Sequence, residues 1–317
     1  MKKLILVVGI LTQSYFGISQ ELRISNHHKI PGRSSYSITS FENVNGKLYG
    51  LFFGYNQHDP STNSSNPYWI VEFDKDSLNH KSYIKIKNIP KRPLHPGEKQ
   101  HWENLNPGKT YNEKELGKLS KSNMYIRGLT FDGRYFWIAD PTREKLHKIS
   151  KSSGEYLGSI SAPPMSNAFC NYSCIEYHNG YFWIVVDNSF DDNHIPILYK
   201  LSRRGKIIKS YDLEIIEEFN GDCFYLRVDG MSITKNGDIW FNLGERDMFC
   251  KFSIKTEKIT KQIYINHEDQ IKFRHGWCHG LGIINGEFYT SEIPQGYNQY
   301  KKGNNGDYDE IFKLIKE

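Results

Sequence analysis

Charged and hydroxyl residues recur at two equivalent positions of a pattern that repeats along this chain. Each copy is anchored by a glycine that follows Asn or Asp, and the five glycines are Gly46, Gly133, Gly180, Gly237 and Gly286. The strand before the glycine opens with Thr39, Arg127, Ser173, Asp229 and His279, and the strand after it ends near Asp140, Asp187, Glu245 and Glu292. Carboxylates, guanidinium and imidazole groups are the side chains that bind metals, transfer protons or hold charged ligands.

Three chemistries are compatible with these residue types. Asp229 and Glu245 supply oxygen ligands for a divalent metal such as calcium. His279 with Asp229 or Glu245 forms an acid–base group, and these three are the predicted catalytic residues. Arg127 holds a substrate carboxylate. The remaining predicted ligand-binding residues are Glu292, Asp140, Asp187 and Trp277.

Each of these residues also has a structural interpretation. Asp140 and Asp187 can make Asx turns where strands end, and Arg127 can bridge two of the acids. His279 can be a buried histidine with satisfied hydrogen bonds. Trp137, Trp183 and Trp240 lie on the repeated aromatic strand and are predicted to pack in the core, whereas Trp102 and Trp277 lie in or beside loops.

The elements that position these residues are hairpins. Stretches such as RGLTFDGRYFWIAD and HGLGIINGEFYTSE combine an apolar strand, a tight Asn-Gly-like turn and an aromatic strand. A third and a fourth strand follow in four copies, and the fifth copy ends after its third strand. Four-stranded antiparallel units of this length are blades of a β-propeller. The sequence therefore predicts an all-β, five-bladed propeller whose ring is closed by an N-terminal strand at residues 21–25.

Long connecting segments fall on one predicted face of the propeller, opposite the hairpin turns. They are residues 54–67, 88–123, 188–196, 214–225, 266–276 and 294–307. Residues 88–123 form the longest, a loop insertion with a short helix expected near 113–119. Because binding residues concentrate on loops held by a rigid scaffold, this face is the predicted site.

The N-terminus and the composition indicate an exported protein. Residues 1–19 have Lys2 and Lys3, a short apolar run and a small-x-small triplet, which predicts a signal peptide and a single mature domain at 20–317. The apolar run is too short to span a membrane. The formal net charge is +5 with basic and acidic residues interspersed, so nucleic acid is not an expected partner. The predicted location is secreted or periplasmic, and the predicted state is a monomer.

Five cysteines lie in the predicted mature chain, so at least one is unpaired. We predict a disulfide between Cys170 and Cys223, in loops on the site face, and a buried, reduced Cys250. A Cys170–Cys174 bond would close a very short loop and is the less favoured alternative.

The stretch GLTFDGRYFWIADPTREKLHKISKSSGEYLGSISAP resembles the blades of several propeller groups. These are NHL-repeat proteins, streptogramin-lyase-like proteins, gluconolactonase- or regucalcin-like proteins, and propeller-type glutaminyl cyclases. The resemblance implies the fold, whereas the activities of the groups differ. Asp229 and Glu245 are similar to part of the metal-binding set of gluconolactonase-like enzymes, but Thr39 and Ser40 stand where their first Glu is expected. The glutaminyl cyclases have a Phe-Thr-Gln-Gly motif in blade one, where this chain reads SITSF.

Two functions follow as alternatives. In the first, the propeller binds a small polar molecule, a peptide or a carbohydrate at the loop-rich mouth of its channel. In the second, the charged mouth belongs to an enzyme, either a metal-assisted hydrolase or lyase or a glutaminyl-cyclase-like protein. Acid pairs beside a bound metal would favour the enzyme, and loop-borne aromatic residues would favour binding.

Overall fold

The structure is a computed structural model, and its secondary structure is almost entirely β. It describes residues 21–29, 36–54, 68–90, 103, 107–112, 126–165, 170–188, 195–214, 216–219, 222–225, 227–243, 248–265, 277–293 and 310–316. Within this part of the chain no helix is long and apolar enough to cross a membrane.

Three sheets have four antiparallel strands each, in chain order, and we call them units 1 to 3. Unit 1 is β2 (Tyr36–Val44), β3 (Lys47–Gly54), β4 (Tyr68–Phe73) and β5 (His80–Lys85). Unit 2 is β6 (Arg127–Phe131), β7 (Tyr135–Asp140), β8 (Lys145–Ser150) and β9 (Tyr156–Ser161), with a 3₁₀ turn at Pro141–Arg143. Unit 3 is β10 (Cys170–His178), β11 (Tyr181–Asn188), β12 (Ile197–Ser202) and β13 (Ile207–Asp212).

The remaining repeats share one eight-stranded sheet, through the N-terminal strand β1 (Glu21–Lys29). Unit 4 is β16 (Gly230–Ile233), β17 (Ile239–Leu243), β18 (Met248–Ser253) and β19 (Lys258–Ile265), and unit 5 is β20 (Trp277–Ile284), β21 (Glu287–Ile293), β22 (Glu310–Lys316) and β1. The predicted closing strand is confirmed, because β1 pairs antiparallel with β22 along its length. β1 also pairs in parallel with β19, at Glu21–Tyr264 and Leu22–Ile265. This pairing joins units 4 and 5, which were predicted to be separate sheets, into one sheet.

The predicted hairpin turns are present, and their backbone angles explain the repeated sequence. At Asn45-Gly46 both residues have positive φ, 55° and 81°, and the pairs Asn179-Gly180 and Asn285-Gly286 are alike. Two-residue hairpins need such angles, which Asn and Gly tolerate best. One predicted loop, 214–225, is wrong, because it contains a hairpin of β14 (Ile216–Phe219) and β15 (Asp222–Tyr225). The expected helix near 113–119 lies outside the described residues.

The first strands of the five units stand side by side in a closed ring. They contact one another in the order β2, β6, β10, β16 and β20, and β20 contacts β2 again. The described buried side chains form five apolar clusters, each between units that are consecutive in this ring. Trp137, Trp183 and Trp240 are buried in these clusters, as predicted. Since each unit buries its faces against two neighbours, the fold is β-propeller-like.

Candidate functional site

Strand pairing brings several of the predicted site residues to one end of the ring of first strands, which we call the rim. Arg127 pairs with Ala139, next to Asp140, and Asn171 pairs with Asp187. In unit 5 Cys278 pairs with Glu292. The start of each first strand and the end of its second strand therefore lie together, on the side opposite the hairpin turns.

β-bulges interrupt four of the five first strands at the rim. The pairing register shifts between Ile38 and Ser40, Arg127 and Leu129, Tyr172 and Cys174, and His279 and Gly282. A bulge leaves a residue unpaired, bends the strand and re-aims its side chains, and bulges are frequent next to active sites. Thr39, Gly128, Ser173 and Gly280 lie at these interruptions. For Gly128 and Gly280 the sequence signal was a glycine directly after a predicted rim position, whereas Thr39 and Ser173 are themselves predicted rim positions.

Glycines at and beside the rim positions let neighbouring first strands approach closely. Gly128 has φ of 77°, and a Cβ there would lie 2.5 Å from Cγ2 of Ile175. A Cβ at Gly230 would lie 2.5 Å from the carbonyl carbon of Gly280. These contacts exclude larger residues, so the rim is narrow and its backbone geometry is closely constrained.

Among the charged rim residues described in units 3 to 5, Asp229 has the smallest exposed surface. Its residue surface is 2% exposed, and Arg227 Nε lies 3.0 Å from its Oδ1. Its backbone N–H donates to the Asn242 carbonyl at 2.9 Å, and its own carbonyl accepts from the Gly280 N–H at 3.0 Å. The backbone of Asp229 thus connects units 4 and 5, while its buried carboxylate faces a guanidinium, the kind of partner that a buried charge needs.

Arg227 is a functional candidate that the sequence interpretation missed. It stands two residues before Asp229, and residues two apart in an extended chain share a side. The Arg-Val-Asp spacing was therefore a usable signal.

Asp187 is hydrogen-bonded to the short chain segment that carries this ion pair. It is buried, and its Oδ2 accepts a hydrogen bond of 3.1 Å from the Val228 N–H. Val228 is the residue between Arg227 and Asp229. The structure therefore brings Asp187, Arg227 and Asp229 together at the boundary between units 3 and 4.

Asp140 takes part in a separate buried network in unit 2. Its Oδ2 contacts Nε2 of His147 at 2.9 Å and pairs with the Arg143 guanidinium, which also donates to the Pro90 carbonyl. These contacts tie the 3₁₀ turn after β7 to the segment that follows unit 1. They account for the burial of Asp140 by charged side-chain partners within unit 2.

Several predicted residues cannot be placed in this geometry. Glu245 and Trp102 lie outside the described residues. Trp277, His279 and Glu292 belong to β20 and β21, where only their backbone is described, and His279 pairs with Ser291. Arg127 opens β6 with a partly buried side chain.

Of the two residues predicted to bind a metal, Asp229 and Glu245, the second lies outside the described residues. Among the described residues, no group of three or more His, Cys, Asp or Glu side chains is arranged to hold a metal ion. Asp229 already has a cationic partner in Arg227.

A third buried polar group lies in the ring of first strands and was not predicted. Glu42 of β2 and Glu176 of β10 are both buried. Each stands four residues before its turn glycine, in FENVNG and IEYHNG. A shared Glu-x-x-Asn-Gly pattern in two aligned units was the signal that could have identified them.

Comparison with known proteins supports the fold. No protein-family model matches the chain, and no curated protein matches its sequence. Among solved structures, a glutaminyl cyclase from Myxococcus xanthus is similar over 94% of this chain and 97% of its own, with a TM-score of 0.56 and 10% identity. This likeness agrees with the resemblance to propeller-type glutaminyl cyclases and, at that identity, concerns the fold alone.

Two further structures have lower TM-scores. A protein of unknown function from Bacteroides caccae gives 0.39 at 11% identity, over 78% of this chain and 90% of its own. Kuenenia stuttgartiensis hydrazine synthase gives 0.38 at 7% identity, over 91% of this chain and 69% of its own.

Proposed function

We propose that this protein is an exported, five-bladed β-propeller that binds a small polar ligand at the rim. The blade number is supported by the closed order of five first strands and by an apolar cluster at each of five boundaries. In this proposal the eight-stranded sheet is two blades that share the N-terminal strand. Export is supported by the signal-like residues 1–19.

The observation that carries the ligand proposal is the row of bulges at the rim. Four first strands depart from regular pairing at the same level, and the residues there include Thr39, Arg127, Ser173 and His279. Regular strands would make a more stable ring, because each bulge disrupts the hydrogen-bond ladder. A repeated departure at one end is the expected signature of a surface shaped for binding.

The charges at the rim favour a ligand that carries both signs. Arg127 and Arg227 provide guanidinium groups, which pair with carboxylates in two-pronged geometry. Asp187 and Asp229 provide carboxylates, which accept hydrogen bonds from an ammonium group. A free amino acid or a peptide terminus has both groups within a few bonds, so this class is favoured over a neutral carbohydrate.

A binding titration with matched variants tests the proposal. Mature protein is titrated calorimetrically with amino acids, with short peptides whose termini are free or blocked, with oligosaccharides and with calcium chloride. We expect binding of a free-terminus ligand and its loss in Asp229→Asn, measured below the melting temperature of that variant. Asp238→Asn is the control, because Asp238 follows the hairpin glycine Gly237 and pairs with Lys251 at 2.8 Å.

The outcomes separate the alternatives. Equal binding by wild type and Asp229→Asn, or no binding in any ligand class, contradicts the proposal. Binding of calcium alone supports the metal site predicted at Asp229 and Glu245. Release of ammonia from peptides that begin with Gln, followed by mass spectrometry, identifies the enzymatic alternative, in which His279 and Asp229 act as acid and base.

A further inference from the structure

The unpredicted pair Glu42 and Glu176 joins two units that are not consecutive in the ring. Glu42 is 7% exposed on β2 of unit 1, and Glu176 is 5% exposed on β10 of unit 3. Each carboxyl group influences the pKa of the other, and both lie against adjacent residues of β6, Glu42 against Phe131 and Glu176 against Thr130. The strand β6 of unit 2 contacts both β2 and β10. The pair therefore crosses the face of β6, towards the hairpin end of the ring and away from the rim.

Uncharged groups of β6 and β10 complete the hydrogen bonding. The Phe131 N–H donates to Glu42 Oε2 at 3.2 Å. The Thr130 hydroxyl donates to Glu176 Oε2 at 3.5 Å and accepts from the Tyr177 N–H at 2.7 Å. Both of these hydrogen-bond donors to the carboxyl groups thus belong to β6, the strand that lies between β2 and β10.

No cation compensates the two carboxyl groups in the described part of the chain. The groups with the largest influence on them are each other, Thr130 and backbone N–H groups. Cys174, on β10, lies near Glu176 and Asp187, and burial raises the pKa of its thiol. From β3, Tyr49 stands opposite Glu42 in the strand register and donates to Glu72. Neither neighbour supplies a positive charge.

Two carboxyl groups in this setting must share a proton. Two neighbouring negative charges, both buried and without a described cation beside them, are strongly unfavourable. Burial raises the pKa of Glu42 to about 8. Burial and the neighbouring Glu42 raise the pKa of Glu176 well above its ordinary value.

We infer that Glu42 and Glu176 form a proton-dependent latch between units 1 and 3. The latch is closed while one proton is shared, and it opens in alkaline solution, when two buried carboxylates repel each other and release β6. Its titration acts on the packing of the hairpin end of the ring, independently of any ligand at the rim.

The sign of the pH effect follows from the raised pKa. In the unfolded chain a Glu carboxyl titrates near pH 4.3, so between about pH 4.3 and pH 8 the folded protein holds a proton that the unfolded chain has lost. The stabilisation is complete below that range and is lost as the pH rises through it. For one extra bound proton, the unfolding equilibrium constant increases roughly tenfold per pH unit.

Urea unfolding of the mature protein at a series of pH values from about 5 to 9 tests the latch. Wild type is expected to lose stability as the pH rises to about 8 and to change less above it. The double variant Glu42→Gln/Glu176→Gln keeps the shape and the hydrogen-bonding groups without a titratable proton, so this part of the pH dependence should disappear. Glu72→Gln is the control, because Lys47 and Tyr49 lower the pKa of Glu72 and its carboxyl is ionised throughout this range. It should retain the wild-type pH dependence.

Infrared spectroscopy of the wild-type protein gives a second measurement that does not depend on the variants folding. A protonated carboxyl C=O band should persist at neutral pH and disappear in alkaline solution. Hydrogen exchange at Phe131 and Tyr177, corrected for intrinsic rates, should accelerate over the same range. The absence of a protonated carboxyl at neutral pH, or a double variant with the full wild-type pH dependence, overturns the inference.

Discussion

The carboxylate of Asp187 accepts a hydrogen bond of 3.1 Å from the backbone N–H of Val228, across the boundary between units 3 and 4. Similar ties occur at other boundaries, where Ser40 Oγ accepts from the Leu129 N–H at 3.0 Å and Thr130 Oγ1 accepts from the Tyr177 N–H at 2.7 Å. First strands of a propeller have free edges, and unpaired backbone groups there need partners. Polar side chains of one unit therefore satisfy the first strand of the next.

Removing the Asp187 carboxylate should destabilise the protein whether or not it contacts a ligand. In Asp187→Ala the buried Val228 N–H loses its acceptor, at a cost of roughly 1–3 kcal/mol. Asp187→Asn retains an oxygen acceptor and should lose less. Urea unfolding measures the stability of both variants. An Asp187→Ala protein as stable as wild type would contradict the hydrogen bond between Asp187 and the Val228 N–H.

Substitution at Gly128 should be more damaging than at a turn glycine of the same unit. Both Gly128→Ala and Gly133→Ala place a side chain at positive φ, 77° and 94°, at a cost of roughly 1–2 kcal/mol. Only Gly128→Ala also places a Cβ against Ile175, which adds roughly 1–3 kcal/mol of overpacking. A Cβ at Gly133 meets nothing within 4 Å. Equal free energies of unfolding for the two variants would show that β6 and β10 move apart at Gly128 at little cost.

Ring closure should depend on the buried side of β1. Leu22 is fully buried in the cluster between units 4 and 5, so Leu22→Ala should lower the free energy of unfolding by roughly 2–5 kcal/mol. Ser25→Ala removes one exposed hydrogen bond to the Lys313 carbonyl and serves as the control. Deletion of residues 21–26 should destabilise further by exposing the β22 edge. A deletion protein with an unchanged melting temperature refutes closure by β1.

The cysteines should react according to burial. Cys174 and Cys250 are free and buried, which confirms the expectation for Cys250 and excludes the Cys170–Cys174 alternative. Burial raises the pKa of Cys250 to about 12, so native protein should resist alkylation at both thiols, and denatured protein should react. The side chains of Cys170 and Cys223 lie outside the described residues, and their disulfide remains a prediction. Non-reducing peptide mapping tests it, and two alkylated thiols would exclude it.

Much of the fold was predictable because its signals are local. The expected third strand at residues 68–73 coincides with β4 (Tyr68–Phe73), and the turn at Asn45-Gly46 has the positive angles that its residues favour. Pairing of β1 with the last unit was also predictable, because the final repeat lacked one strand. The hairpin of β14 and β15 was missed although Asn220 and Gly221 stand between its strands, since its position outside the repeats suggested a loop.

The sequence by itself determined the repeated hairpins, the closing strand and the end of the ring where charged residues gather. These depend on turn conformation and on the alternation of apolar residues within a few positions. Tertiary structure decided which polar groups meet across unit boundaries: Asp187 with the Val228 N–H, Ser40 with the Leu129 N–H, and Glu42 of unit 1 with Glu176 of unit 3. Units 1 and 3 are distant in sequence, and the bulges that shape the rim arise where neighbouring first strands meet. Such contacts follow from the closed ring and not from any single repeat.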